Sequence, residues 1–251
     1  MIDRSISDSV ATLRLNYGKA AALDLELLDA VALAIAECAA DDDIRAVILT
    51  GTGSIFCAGV DLFRITNGGR EYAERFLPAL GRMLLELFAF PKPLIAAVNG
   101  HAIAGGCVLA LAGDYRLMAQ GNGRIGVPEL LVGVAFPPSV IEAIRFALPP
   151  QQLQALLYTG KTVLPDEALQ RGFVDEVVDA ATLPARAEEM ARHFASLPPQ
   201  GFALAKKQLR ETAIDRAKHY ANELDREVIE LWSASETLDR IRAYLAKTVK
   251  K

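Results

Sequence analysis

Residues 91–118 read PKPLIAAVNGHAIAGGCVLALAGDYRLM, and this stretch decides the fold. An apolar run over 93–100 predicts a buried strand, residues 104–112 predict a helix that starts at two glycines, and residues 115–120 predict another strand. Continuous apolar strands that alternate with helices are typical of parallel strands covered on both faces. The stretch therefore predicts an α/β protein.

The same alternation extends on both sides of this stretch. Strands are predicted over 10–16 and 45–51, and residues 124–129 predict a strand that runs into a turn. Asp24 is placed to cap a helix over 25–40, which carries one apolar stripe. These elements support mainly parallel strands in one layered core.

Beyond about residue 197 the pattern becomes purely helical. The segment SLPPQG at 196–201 is a natural break, because its prolines and glycine interrupt regular structure. We expect two regions, an α/β core over 1–197 and a C-terminal helical region over 198–251.

Composition excludes several classes of function. The chain has 251 residues, 52% hydrophobic and 23% charged, which suits one large domain with or without an appendage. A net charge of −4 without a dense basic patch argues against nucleic acid, and three scattered cysteines form no disulfide framework. The N-terminus lacks an apolar signal core, and no apolar run reaches the roughly 18 residues of a membrane span. We expect a cytoplasmic protein without nucleic-acid or membrane partners.

Several motifs that could carry chemistry are incomplete. The segment GTGSIF at 51–56 lacks the third glycine of a dinucleotide-binding fingerprint, and the three histidines show no metal-ligand spacing. Cys107 has no neighbouring cation that would lower its thiol pKa, so it is interpreted as a small buried hydrophobic residue. Asp114, between a helix and a strand, is interpreted as a turn or capping acid. No metal site is expected.

Three segments together indicate a reaction site. FCAGVDLFRI at 56–65 and the glycine pair at 105–106 both offer backbone N–H groups in small-residue surroundings, which is the requirement for an oxyanion hole. GVPELLVGVAF at 126–136 places one acid, Glu129, among apolar residues that would raise its pKa toward the range of a general base. Taken alone, Glu129 would be interpreted as a loop acid.

In this order the segments resemble the crotonase, or enoyl-CoA hydratase/isomerase, superfamily. The resemblance covers almost the whole chain, and five segments carry it. They are NYGKAAALDLELLDAV, RAVILTGTGSIFCAGVDL, PKPLIAAVNGHAIAGGCVLALAGDYRLM, GVPELLVGV and TGKTVLPDEALQRGFVDEVV. The resemblance implies an α/β, crotonase-type (ClpP-like) spiral of ββα units with C-terminal helices, assembled as a homo-trimer or hexamer.

The resemblance also implies the roles of individual residues. The backbone N–H groups of Val60 and Gly105 would form the oxyanion hole, and Glu129 would be the catalytic acid. A coenzyme A thioester would be the substrate, with no permanently bound cofactor. The residues that would line the acyl-CoA site are Ala58, Asp61, Leu62, Phe63, Gly105 and Val108.

One departure from the family pattern selects the reaction. Hydratases of the family carry a glutamate directly after the GGC tripeptide and another in the PE segment, whereas this chain has Val108 at the first position and keeps Glu129 at the second. Water addition resembles a task for two carboxylates, while a double-bond shift needs one base. The pattern is similar to that of the family's 3-enoyl-CoA to 2-enoyl-CoA isomerases, with Gly113 in place of a more usual cysteine.

Two alternatives remain open at this point. One is another crotonase-type reaction, hydration or thioester hydrolysis, in which Asp61, His101 or the segment 64–76 supplies a second polar group. The other is a non-catalytic acyl-CoA-binding protein, against which the retention of Glu129 argues.

Two further segments carry expectations of their own. The segment 64–80 is expected to close over the acyl chain, and its glycines indicate mobility. It offers Phe76 and Leu77 as pocket walls, with ordinary helix packing as the alternative. Apolar positions after 198 would be buried in a trimer or within the chain, and they are Leu224, Val228, Ile229, Leu231 and Trp232.

Overall fold

The structure is a computed structural model, and it describes residues 1–248. The strands are β1 Ile2–Ser7, β2 Val10–Leu15, β3 Ala46–Thr50, β4 Ile55–Cys57, β5 Leu94–Val98, β6 His101–Ile103, β7 Tyr115–Ala119, β8 Ile125–Gly126 and β9 Glu176–Val178. The helices are α1 Leu25–Ala40, α2 Leu62–Phe88, α3 Gly105–Leu111, α4 Pro138–Ala147, α5 Pro150–Thr159, α6 Pro165–Arg171, α7 Leu183–Ala195, α8 Pro199–Ser233 and α9 Ser235–Thr248. A short 3₁₀ helix spans Glu129–Val132.

The larger sheet has six strands in the order β1-β2-β3-β5-β7-β9. Only the pairing of β1 with β2 is antiparallel, and the other four pairings are parallel. Every residue of β3 and β5 is buried, as expected for parallel strands covered on both faces. The predicted α/β class is confirmed. Strand β1 was not predicted, because five of its six residues are exposed and leave no apolar pattern.

A second, smaller parallel sheet has the order β4-β6-β8. Its strands are three, three and two residues long, too short for any periodicity to show in the sequence. The chain leaves each strand at the same edge of this sheet, because the pairings are parallel. The three segments that follow these strands therefore lie side by side.

Helix α1 has the bounds that the sequence predicts. The Asp24 carboxylate accepts a hydrogen bond from the Leu27 backbone N–H at 2.9 Å, so it caps the first turn. Such a cap contributes about 1 kcal/mol. The Tyr17 hydroxyl donates to the other Asp24 oxygen at 2.7 Å, which ties the preceding loop to the helix.

The segment 64–80 lies within helix α2. The helix is interrupted at Gly69, whose φ of 54° and ψ of −139° are not helical. Phe76 and Leu77 are buried in the core and do not line the cavity described below, so ordinary helix packing is the alternative that holds for them. Leu62, the first residue of α2, and Leu80, the last residue of the segment, do line that cavity.

The helices after residue 198 pack back onto the core. Helix α8 contacts α2 and α4, and α9 contacts α2 and the 3₁₀ helix. Val228 and Trp232 are buried within the chain itself, whereas Leu224 and Leu231 remain exposed. None of the helices within residues 1–248 combines the length and apolar content needed to cross a bilayer.

Candidate functional site

The carboxyl edge of the small sheet brings the three predicted segments together. Strand β4 leads into the turn at Ala58–Val60, β6 leads into α3, and β8 leads to Glu129. The carboxyl ends of parallel strands are the usual location of sites in α/β proteins. All three segments face one cavity of about 90 Å³.

The backbone at Val60 is held by the loop before α1. The Leu23 N–H donates to the Gly59 carbonyl at 2.7 Å, and the Asp61 N–H donates to the Leu23 carbonyl at 2.9 Å. In such a bridge the N–H of the residue between them points to the opposite side. No hydrogen bond within residues 1–248 uses the Val60 N–H, and Val60 lines the cavity, so this donor is available to a ligand.

The backbone at Gly105 is held in place by Ala104, which has an unusual backbone conformation. Ala104 has a φ of 53° and ψ of −124°, a conformation that costs a residue with a Cβ about 1 to 3 kcal/mol. Its N–H donates to the Gly126 carbonyl at 2.8 Å, which fixes the start of α3 against β8. The N–H of Gly105 has no partner within residues 1–248, because it opens the helix.

The two glycine segments approach each other closely. A Cβ on Gly59 would lie 2.6 Å from the Ile103 carbonyl oxygen and 3.2 Å from the Gly105 nitrogen. The φ of Gly59 is +85°, which also disfavours a side chain there. A Cβ on Gly106 would collide with the Cys57 backbone. Glycine is therefore required for the N–H groups of residues 60 and 105 to reach the same cavity.

Glu129 is the acid of this cavity. Its side chain is 9% exposed, and its Oε2 has no hydrogen-bond partner among the described residues. Burial raises its pKa from 4.5 to about 8, against a smaller opposing effect of a hydrogen bond from its own backbone N–H. A buried acid without a partner is costly in a folded protein, and such groups mark functional sites.

The rest of the cavity wall is almost entirely apolar. The lining residues are Ala58, Val60, Leu62, Leu80, Ile103, Ala104, Gly105, Pro128, Glu129, Val132, Val134, Phe136, Pro137, Val140, Trp232 and Tyr244. Four predicted residues besides Glu129 are therefore on the wall: Ala58, Val60, Leu62 and Gly105.

Three other predicted residues do not line the cavity. Asp61 caps α2, because its carboxylate accepts hydrogen bonds from the N–H groups of Phe63 and Arg64 at 2.9 and 3.1 Å. The Phe63 side chain is 50% exposed. Val108, one turn after Gly105 on α3, is fully buried behind the wall.

The other candidate residues from the sequence lie outside the cavity and have structural roles. His101 accepts a hydrogen bond from the Arg124 N–H through its Nδ1 at 3.2 Å and does not line the cavity. Cys107 is fully buried, and burial raises its thiol pKa well above 9.0, which agrees with its interpretation as a hydrophobic residue. Within residues 1–248, no three His, Cys, Asp or Glu side chains cluster closely enough to hold a metal ion.

The sequence did not identify two aromatic residues on the wall. Trp232 at the end of α8 and Tyr244 on α9 lie more than a hundred positions after Gly105 in the chain, and no local motif surrounds either one. Trp232 was noted only as an apolar position of a helix. To find them, the sequence would have had to show that the C-terminal helices fold back over the site. Periodicity alone does not predict such a tertiary contact.

An α/β spiral whose small parallel sheet ends at such a cavity defines an enzyme of the crotonase class. Comparison with known proteins agrees, because the family model described as enoyl-CoA hydratase/isomerase matches residues 5–248. The chain belongs to the enoyl-CoA hydratase/isomerase family. It is an enzyme of the crotonase type, a superfamily that uses CoA thioesters as substrates.

Individual relatives carry more than one activity in their names. The chain is 33% identical over 205 residues to a carnitinyl-CoA dehydratase of Salmonella typhi, covering 81% of this chain and 78% of that protein. It is 30% identical to an enoyl-CoA isomerase of Mtb, with a TM-score of 0.83 over 90% of this chain and 98% of that one. The human mitochondrial delta3-delta2-enoyl-CoA isomerase, 24% identical, shares the fold with a TM-score of 0.94 over 98% and 97% of the two chains.

Proposed function

We propose that this protein is an enoyl-CoA isomerase that converts a 3-enoyl-CoA into a 2-enoyl-CoA. The observation that supports the proposal is Glu129, a single buried acid with an unpartnered oxygen in a cavity whose other lining side chains are apolar except for Trp232 and Tyr244. Within residues 1–248, no second carboxylate lines that cavity. One base is sufficient for a double-bond shift, whereas hydration requires a water that is held and activated.

In the proposed mechanism, the thioester oxygen accepts hydrogen bonds from the N–H groups of Val60 and Gly105. The Glu129 carboxylate removes a proton from C2, and the resulting dienolate is stabilised by these two donors. The protonated Glu129 then returns the proton to C4, which completes the shift of the double bond. Both transfers use the same acid, so no group outside the cavity has to exchange protons with it.

The pKa of Glu129 suits this role. When it is ionised, a carboxylate with a pKa near 8 is a stronger base than an ordinary glutamate. When it is protonated, it passes the proton to a neighbouring carbanion more readily than to water. The apolar wall keeps water from the dienolate.

The experiment that tests the proposal is a panel of CoA thioesters of matched chain length. Each compound is scored separately for double-bond migration, hydration and hydrolysis, with 3-enoyl, 2-enoyl and saturated acyl chains. We expect migration to be the fastest reaction. Hydration as fast as migration would assign the protein to the hydratases instead.

A second candidate function is dehydration of a 3-hydroxyacyl-CoA to a 2-enoyl-CoA, or the reverse hydration of the 2-enoyl-CoA. It is favoured by the likeness to carnitinyl-CoA dehydratase at 33% identity. Carnitinyl-CoA and 3-hydroxybutyryl-CoA therefore belong in the same panel.

We also propose a trimeric or hexameric assembly, with residues 198–251 as the region that mediates it. Support comes from helix α8, which leaves four leucines between 41% and 69% exposed: Leu204, Leu209, Leu224 and Leu231. Sedimentation analysis at micromolar concentration tests this assembly, and a monomer would contradict it.

A further inference from the structure

The cavity wall offers a ligand one polar side chain besides Glu129. Of the lining residues, only Glu129, Trp232 and Tyr244 have polar side-chain atoms. The indole N–H of Trp232 donates to the Ala135 carbonyl at 2.8 Å, so it is already used. The Tyr244 hydroxyl takes part in no hydrogen bond within residues 1–248, and the only bond between a side chain and Tyr244 there is the one that the Thr248 hydroxyl donates to the Tyr244 carbonyl.

The position of Tyr244 is set by contacts of two residues that precede it in α9. Ile241, one turn earlier, is fully buried, and the Arg242 guanidinium donates to the Thr66 carbonyl of α2 at 3.3 Å. Helix α9 packs against α2 and against the 3₁₀ helix that begins at Glu129. Tyr244 and Glu129 therefore line the same cavity from two elements that are in contact.

We infer that Tyr244 is a specificity-determining residue whose hydroxyl hydrogen-bonds an oxygen on the acyl chain, of the kind found in a 3-hydroxyacyl thioester. This inference rests on the proposed function in assuming that an acyl-CoA occupies the cavity with its thioester oxygen at the N–H groups of Val60 and Gly105. The thioester oxygen is bound by Val60 and Gly105, so an oxygen further along the chain meets Glu129 or Tyr244. A phenol both donates and accepts, and so complements a hydroxyl group.

The size of the expected preference follows from the exposure of Tyr244. Tyr244 is 36% exposed, so water reaches this part of the cavity when a plain alkyl chain is bound. The penalty for an alkyl chain is then that of one ordinary hydrogen bond. We expect a preference of roughly tenfold for the hydroxylated chain, and not the much larger ratios of fully enclosed polar sites.

The test compares the affinities of butyryl-CoA and 3-hydroxybutyryl-CoA by titration calorimetry. The unmodified protein and Tyr244→Phe are measured, with Tyr220→Phe as the matched control, because Tyr220 on α8 is 39% exposed and lies outside the cavity. We expect the unmodified protein and Tyr220→Phe to prefer the hydroxylated thioester, and Tyr244→Phe to lose the preference while keeping its affinity for butyryl-CoA. Equal affinities in the unmodified protein, or a preference that survives in Tyr244→Phe, would overturn the inference.

The same experiment separates this inference from the proposed isomerase activity. Binding is measured without turnover, so the absence of isomerisation leaves the affinity ratio intact. If chromatography shows that 3-hydroxybutyryl-CoA is dehydrated during titration, the isomerase assignment is at fault. The ratio is then measured with Glu129→Gln and Glu129→Gln/Tyr244→Phe, which still support or overturn the role of Tyr244.

Discussion

Two acids of this protein are withdrawn from solvent in opposite ways. The Asp114 carboxylate accepts hydrogen bonds from the Leu94 N–H at 2.8 Å, the Lys206 ammonium at 2.6 Å and the Arg210 guanidinium at 2.8 Å. Glu129 is buried to a similar degree, and its Oε2 has no partner within residues 1–248. An acid whose charge is fully compensated holds the structure together, while an acid without a partner is available to a substrate.

The Asp114 cluster connects the C-terminal region to the core. Lys206 and Arg210 lie on α8, and Asp114 lies in the turn between α3 and β7. Arg210 also donates to the carbonyls of Phe88, the last residue of α2, and Ala112, the residue after α3. The cluster therefore anchors α8 to the core, and α8 places Trp232 on the cavity wall. The cluster itself takes no part in the chemistry.

Replacing each acid by its amide tests this comparison directly, and the largest effect is expected at Glu129. Glu129→Gln should lower isomerase turnover by roughly a hundredfold to ten-thousandfold, since a positioned general base is lost. Acyl-CoA binding and thermal stability should be retained, because an amide fits the same space without a buried charge. Initial rates, titration calorimetry and thermal unfolding check the three parts. Near-normal turnover would make Glu129 an ordinary loop acid.

Asp114→Asn should lower stability and leave turnover unchanged, the converse of Glu129→Gln. The change leaves Lys206 and Arg210 buried without a negative partner, which should lower the free energy of unfolding by about 3 to 5 kcal/mol. The folded fraction should keep its turnover. Urea denaturation measures the loss, and the control is Glu74→Gln in the exposed pair with Arg70, which should cost less than about 1 kcal/mol. Equal losses in the two variants would contradict the anchoring role of Asp114.

The sequence predicted the local parts of this arrangement. Asp24 and the apolar stripe behind it defined α1, and the fully buried strands β3 and β5 had continuous apolar runs. The motifs around Val60 and Gly105 located two segments that the structure places against one cavity. These features succeed because the signal for each lies within a few neighbouring residues.

The remaining parts depend on contacts between distant positions. Asp114 was interpreted as a turn or capping acid, but its partners Lys206 and Arg210 are 92 and 96 residues away in the chain. Tyr244 reaches the cavity only because α9 folds back over it. No local periodicity or spacing encodes such pairings, and strands as short as β6 have no measurable periodicity.

The next effect concerns the donor at the start of α3. Gly105→Pro removes the N–H and should lower turnover by about a hundredfold to a thousandfold, or about 3 to 4 kcal/mol of transition-state stabilisation. Gly105→Ala is the matched control, since it keeps the N–H and its Cβ would meet only the flexible end of Leu23. Circular dichroism checks that both variants fold. A folded Gly105→Pro protein with full activity would exclude Gly105 as an oxyanion donor.

The pH dependence of turnover should distinguish Glu129 from Asp114. With a pKa of about 8, its ionised fraction rises between pH 7 and pH 9, so kcat/KM should increase roughly tenfold over that interval. Stability should change in the opposite direction. The folded protein holds a proton on Glu129 that the unfolded chain releases near pH 4.5, so the free energy of unfolding falls as pH rises from about 4.5 to about 8.

Glu129→Gln provides the control for this dependence. The variant cannot ionise at that position, so its stability should vary less with pH over the same window than that of the unmodified protein. Unfolding in urea at a series of pH values measures the difference. An identical pH dependence in both proteins would show that Glu129 does not have a raised pKa.

The smallest expected effect comes from placing a second acid near the first. Val108 occupies the position at which family hydratases carry their other glutamate, one helical turn from the Gly105 N–H and buried behind the cavity wall. A bound water needs about two to four polar partners, and Glu129 by itself offers too few. Val108→Glu should therefore raise hydration of 2-enoyl-CoA relative to isomerisation of 3-enoyl-CoA, by roughly severalfold, because a second carboxylate can hold and orient the water.

The contrast between the paired Asp114 and the unpaired Glu129 also predicts that Val108→Glu lowers stability. A carboxylate at a fully buried site has no cation to compensate it, so Val108→Glu should lower stability, as burial of an unpaired charge does. Val108→Gln is the matched control, since it has nearly the same shape and lacks the acid. If the ratio of hydration to isomerisation rises in Val108→Glu and not in Val108→Gln, the missing carboxylate is what separates the two reactions in this protein. If the unmodified protein hydrates 2-enoyl-CoA as fast as it isomerises 3-enoyl-CoA on matched chains, a group such as the Tyr244 hydroxyl already holds the water, and the single-acid mechanism is wrong.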